Sequence, residues 1–162
     1  MCPDDRAGCA SSGAGGSDHT PGAFRVHTPA DYLHLAHASN DGAVLHGLVR
    51  CDHSFVWQAL AANPHTPPAA LRELAAARHS TWNDNRLLLL LAGHPAADRA
   101  VLRAVLDATA AKLTEGERPY AAVLALAGRT ELDVAEVRRL GTLPGASGRL
   151  RSLLRRRLAA RG

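Results

Sequence analysis

The stretch Ala61-Ala62-Asn63-Pro64-His65-Thr66-Pro67-Pro68-Ala69-Ala70-Leu71-Arg72-Glu73-Leu74-Ala75 decides how this chain is read. It predicts the end of one helix, a proline-stiffened corner and the start of a second helix. Asn63 tolerates the left-handed conformation that closes a helix, and Pro64 cannot continue one. Thr66 is placed to cap the next helix, with Pro67 at its first position, where a missing N–H costs nothing. Leu71 and Leu74, three residues apart, then share one helical face.

The corner returns at Gly93-His94-Pro95 and again at Gly128-Arg129-Thr130. A shift of 31 residues lays Val56 on Leu87, Leu60 on Leu91, Leu71 on Leu102 and Leu74 on Val105. A shift of 35 carries Leu91 to Leu126, Asp98 to Asp133, Leu102 to Val137 and Val105 to Leu140. An irregular period with agreeing apolar anchors predicts a short, degenerate array of helical pairs.

Working outward, Thr28-Pro29-Ala30-Asp31 reads as a helix start, with Thr28 as cap and Pro29 in the first turn. Ser54 is the expected cap of the second unit. Thr81 and Asp84 have capping-box-like spacing for the third, and Asp98 and Asp133 stand where caps are wanted. Residues 1–27 are rich in Gly, Ser, Ala and Pro and lack apolar periodicity, so they are expected to form a disordered leader. Residues 28–148 form the expected helical-repeat domain. Residues 149–162 form an arginine-rich C-terminal capping helix, with Leu150, Leu153, Leu154 and Leu158 on one side.

The run from Val56 to Ala75 resembles one unit of the leucine-rich repeat variant family, whose repeats are closer to armadillo and HEAT repeats than to true leucine-rich repeats. The resemblance is clearest over residues 52–75 and weaker over 84–106. It implies an all-α, right-handed α-solenoid, here of about four irregular helical pairs. Some members of that family hold an N-terminal iron–sulfur cluster on four cysteines. Cys2, Cys9 and Cys51 do not supply that set, so no cofactor is expected. The resemblance implies a binding role and offers no catalytic residues.

Composition agrees with a helical reading. Aromatic residues make up 4% of the chain, too few for the β-rich alternative. After Glu136 there is no acidic residue, and the last 26 residues hold eight arginines. With a net charge of +4, the preceding body therefore sums to −4. Three scattered cysteines suggest no disulfide framework, which favours a reducing cytoplasm. Leu87 to Ala92, the longest strongly apolar run, is far shorter than the roughly 20 residues that span a bilayer. No membrane association is expected.

No phosphate loop, metalloprotease helix or nucleophile elbow is present, and the chain reads as non-enzymatic. His34 and His37 share a helix face, and Cys51 and His53 lie about one repeat away. Their spacing matches no zinc signature, so they read as surface and corner residues and no metal site is expected. Trp57 and Trp82, each near the start of a first helix, are expected with Gln58, Asn83 and Arg86 to line a surface that takes a segment of a partner protein, the alternative for the two tryptophans being that each fills space between layers. Arg149, Arg151, Arg155 and Arg156 offer an alternative, a phosphate-binding patch for nucleic acid. The bland reading of the same arginines is the solvated face of a capping helix.

Overall fold

The computed structural model describes residues 28–161; the leader expected over 1–27 lies outside the described residues. The helices are α1 (Pro29–Ala38), α2 (Gly42–Gly47), α3 (Ser54–Ala62), α4 (Pro68–Ala76) and α5 (Thr81–Gly93). They continue with α6 (Arg99–Thr114), α7 (Tyr120–Leu126), α8 (Val134–Arg138) and α9 (Gly148–Ala159). Short 3₁₀ turns, Leu48–Arg50 and Arg139–Thr142, extend α2 and α8. The fold is all-α, with no strand among the described residues. None of the described helices is long and apolar enough to cross a membrane.

Several starts follow directly from cap chemistry. Thr28 and Asp31 form a reciprocal capping box at α1, with Pro29 in its first turn. Asp41 accepts the Ala43 and Val44 N–H groups at α2, Asp98 accepts that of Val101 at α6, and Ser147 accepts that of Leu150 at α9. Asp133 and Glu136 make a second capping box at α8.

The corner at 63–67 is built differently from the expectation. Asn63 is extended (φ −81°, ψ 115°), not left-handed. Its side chain replaces what a left-handed cap would do: Oδ1 accepts the His65 N–H at 2.9 Å, and the amide donates out of the corner. Thr66 is fully buried, and its hydroxyl donates back to the Leu60 carbonyl at 2.7 Å, which also accepts the Asn63 N–H at 3.1 Å at the end of α3. Pro67 is therefore the N-cap of α4, and Pro68 holds its first position. Similarly, His53 and not Ser54 precedes α3, and Ser80 rather than Thr81 precedes α5.

Alternate helices pack side by side. In one row α1 meets α3, α3 meets α5, α5 meets α7 and α7 meets α9; in the other α2 meets α4 and α4 meets α6. Between the rows lie the anchors matched in the sequence: Val56, Leu60, Leu71, Leu74, Leu87, Leu91, Leu102, Val105, Leu126, Val137 and Leu140 are all buried. Each large aliphatic side chain so placed contributes about 1.5–3 kcal/mol. Buried alanines, among them Ala36, Ala59, Ala75, Ala92 and Ala122, let the helices approach closely.

Between α8 and α9 the chain passes beneath the end of α6. The Gly145 N–H donates to the Leu113 carbonyl at 2.7 Å, and the Tyr120 hydroxyl donates to the Gly145 carbonyl at 2.8 Å. A Cβ on Gly145 would stand 2.5 Å from the Glu117 carbonyl oxygen and 2.7 Å from that of Leu113, so only glycine fits.

Candidate interaction surface

The two tryptophans part company. Trp57 is only 9% exposed, and its indole N–H is shared between the carbonyls of Cys51 (2.7 Å) and Val49 (3.2 Å). It also meets the His79 ring edge-on. The expectation that Trp57 lines the surface is therefore corrected. The 3₁₀ turn Leu48–Arg50 ends with free carbonyls, and the indole fills them from inside. Trp82, in the first turn of α5, is 70% exposed.

Gln58 and Asn83 do come together: the Gln58 amide donates to Asn83 Oδ1 at 3.0 Å, joining α3 to α5. Asn83 in turn donates to the Ser80 hydroxyl at 3.0 Å. Arg86 is exposed, one turn beyond Trp82, with no ion-pair partner among the described residues.

Two apolar residues join this surface that the sequence reading passed over. Phe55 is 42% exposed and stacks on the His53 ring at 5.1 Å, and Leu89 is 36% exposed. Both could have been found by periodicity. With Val56, Trp57, Ala59 and Leu60 inward, Phe55 and Gln58 must turn outward; with Leu87, Leu88 and Leu91 inward, Leu89 must. All the large apolar side chains exposed among the described residues thus lie on α3 and α5, two helices in contact.

The middle of the first row is nearly uncharged, whereas α9 at its end carries five arginines. α3 and α7 contain no charged residue, and α5 contains Asp84 and Arg86 alone. Asp84 is buried, where it pairs with Lys112 (3.3 Å) and accepts the His79 N–H (2.8 Å), so Arg86 is the one exposed charge on these three helices. That also corrects the capping role expected of Asp84. Lys112, 4% exposed, meets a second carboxylate, Glu117, at 2.9 Å. In the other row polar side chains meet along the surface: His46 hydrogen-bonds to Glu73 (2.7 Å) between α2 and α4, and Arg103 pairs with Glu136 between α6 and α8. The Arg103 hydrogen bond, helped by the Asp133 N–H, holds Glu136 below the usual carboxylate range.

Polar side chains link successive corners. Asn63 donates to the carbonyls of Ala36 (2.9 Å) and Ser39 (2.8 Å). The His94 ring lies 2.8 Å from the Asn63 carbonyl, and the Arg129 guanidinium donates to the carbonyls of His94 (3.1 Å) and Ala97 (3.0 Å). Arg129 also pairs with Glu131 at 2.8 Å, whose pKa is lowered first by its own backbone N–H and further by that guanidinium. Arg161 donates to the Leu132 carbonyl at 2.7 Å.

His34 and His37 are exposed on α1, and no three His, Cys, Asp or Glu side chains among the described residues are grouped to hold a metal ion. Burial, with Asp52 beside it, pushes the Cys51 thiol up and keeps it protonated. On α9, Arg149 and Arg156 fall on one side and Arg151 and Arg155 on another, about 130° apart at 3.6 residues per turn. No protein-family model, no curated protein and no solved structure matches the chain.

Proposed function

We propose that the chain is a non-catalytic scaffold that binds an apolar segment of a partner protein across the outer surface of α3 and α5. The observation that carries this reading is the grouping of Phe55, Trp82 and Leu89 on two adjoining helices whose one exposed charge is Arg86. A tryptophan 70% exposed, on a helix that also exposes Leu89 and adjoins the one exposing Phe55, has the character of an interface anchor rather than of a solvated face. Gln58 and Asn83 hold the two helices in register beneath it.

In this reading the architecture is a short right-handed α-solenoid of the leucine-rich repeat variant type, working in the reducing cytoplasm. The row-wise packing of alternate helices supports it, as do Asn63, His94 and Arg129, which occupy one repeat position under the 31- and 35-residue shifts. A non-catalytic role is supported by what the carboxylates do: Asp98 and Asp133 cap helices, and Asp84 is consumed by Lys112 and a backbone N–H.

The test is affinity capture from native lysate, with nuclease and at high salt, comparing the native chain with Trp82→Ser, Phe55→Ser and Arg103→Ala. A discrete protein lost with either surface apolar substitution and kept with Arg103→Ala supports the scaffold. Retention that ignores Trp82 and Phe55, or capture of nucleic acid alone, removes it.

A further inference from the structure

A cleft of about 510 Å³ opens between α9 and the end of α8 with its 3₁₀ turn. Arg138 stands on one wall and Arg151 and Arg155, one turn apart, on the other. The hydroxyl residues Thr142 and Ser152 also line it, and Gly141, Leu154 and Leu158 supply an apolar lining. No acidic residue lines the cleft.

The charges in this cleft are uncompensated. Arg103 and Arg129 each have a carboxylate partner, whereas Arg138, Arg151 and Arg155 have none among the described residues. Arg155 reaches only the Ser152 hydroxyl, at 3.5 Å. Like charges at i and i+4 oppose helix formation, and a third guanidinium facing them adds to that repulsion. The arrangement becomes favourable when an anion enters. Guanidinium forks match phosphate oxygens in pairs, and three of them match more negative charge than one carboxylate carries.

We propose that this cleft binds a soluble organic phosphate of nucleotide size, its phosphates held by Arg138, Arg151 and Arg155 and its organic body against Leu154 and Leu158. The volume lies within the range of small-molecule sites, about 300–1,000 Å³. A polymeric phosphate chain is the poorer fit. Arg149 and Arg156, the remaining pair of the expected nucleic-acid patch, stand about 130° away around α9 and do not continue the track.

The experiment is isothermal titration calorimetry of the whole chain with ADP, with inorganic pyrophosphate and with a thymidine oligonucleotide. ADP should bind saturably and more tightly than pyrophosphate, which lacks the organic body. Arg151→Gln with Arg155→Gln, and separately Arg138→Gln from the opposite wall, should each weaken ADP by about tenfold or more, the loss of one to two charge-assisted hydrogen bonds. Arg149→Gln with Arg156→Gln should leave it within about twofold, as expected of surface charges outside the contact. All five side chains are exposed, and thermal unfolding of each variant verifies that the fold is kept. Absence of saturable ADP binding overturns the proposal. So does equal weakening by the two α9 pairs, or tight oligonucleotide binding that draws equally on Arg149, Arg151, Arg155 and Arg156.

Discussion

His94 donates its Nε2 proton to the carbonyl oxygen of Asn63, 2.8 Å away, and accepts the Ala96 N–H on Nδ1 at 3.0 Å. The second contact fixes the tautomer. A backbone N–H can only donate, so Nδ1 carries no proton and the ring is neutral. Two successive corners are thereby joined by one imidazole that uses both nitrogens.

Stability should consequently fall on acidification. Burial pulls the His94 pKa below its ordinary value of 6.5; the Asn63 carbonyl opposes this and the Arg129 guanidinium reinforces it. The unfolded chain therefore takes up this proton first. The contribution is complete above 6.5 and is lost as pH falls from there through the lower folded value. Urea unfolding at pH 7.5 and 5.0 should show a smaller decline for His94→Asn than for the native chain; equal declines would remove His94 as the cause. His94→Ala, which strands the Ala96 N–H, should lose about 2–3 kcal/mol at neutral pH.

Lys112 should be far more sensitive than a surface lysine. Lys112→Met leaves the Asp84 carboxylate buried without its cation, a loss of about 3–5 kcal/mol. Adding Asp84→Asn, which removes the stranded charge while still offering an acceptor to the His79 N–H, should restore part of it. A double variant no more stable than Lys112→Met alone would show that the pairing is not the source of the loss.

Gly145→Ala should destabilise by about 2 kcal/mol or more, since the new methyl group meets backbone oxygens that cannot step aside. Gly148→Ala is the matched control, because a Cβ there meets nothing within 4 Å. Thermal midpoints of the two variants measure the difference.

The tryptophans should separate stability from binding. Trp57→Ala removes a buried ring and strands two carbonyls, a loss of about 3–5 kcal/mol. Trp82→Ala should stay within about 0.5 kcal/mol of the native chain. Denaturant midpoints that move together would show that Trp82 is a packing residue.

What was legible in the sequence was chemistry that closes within a few residues. Thr28, Asp98 and Asp133 cap because their partners lie two or three positions on, and the apolar anchors at 56, 60, 71 and 74 are inward because one helical period decides them. Misreadings came from groups whose partners lie beyond a single helical turn. Thr66 is drawn away from a cap by Leu60, Asn63 out of its corner by Ala36 and Ser39, and Asp84 is shared between Lys112 and the His79 N–H ahead of the helix. The surface was half legible for the same reason. Trp82, Gln58 and Asn83 follow from helical spacing, whereas the burial of Trp57 depends on carbonyls left open by a 3₁₀ turn that no local signal marks.

The links between corners have a polarity. In each, the later residue brings the hydrogen and the earlier one the oxygen: Asn63 to Ala36, His94 to Asn63, Arg129 to His94, Arg161 to Leu132. A buried carbonyl tolerates a missing partner better than a buried N–H does. Synthesis from the N-terminus therefore never presents a corner whose donor must wait for chain not yet made; only oxygens wait. Trimming helices from the far end takes a donor away from carbonyls, two of which (Asn63 and His94) still accept a local N–H, while trimming them from the front orphans donors, so the two ends of this molecule are not equivalent in how much loss they can bear.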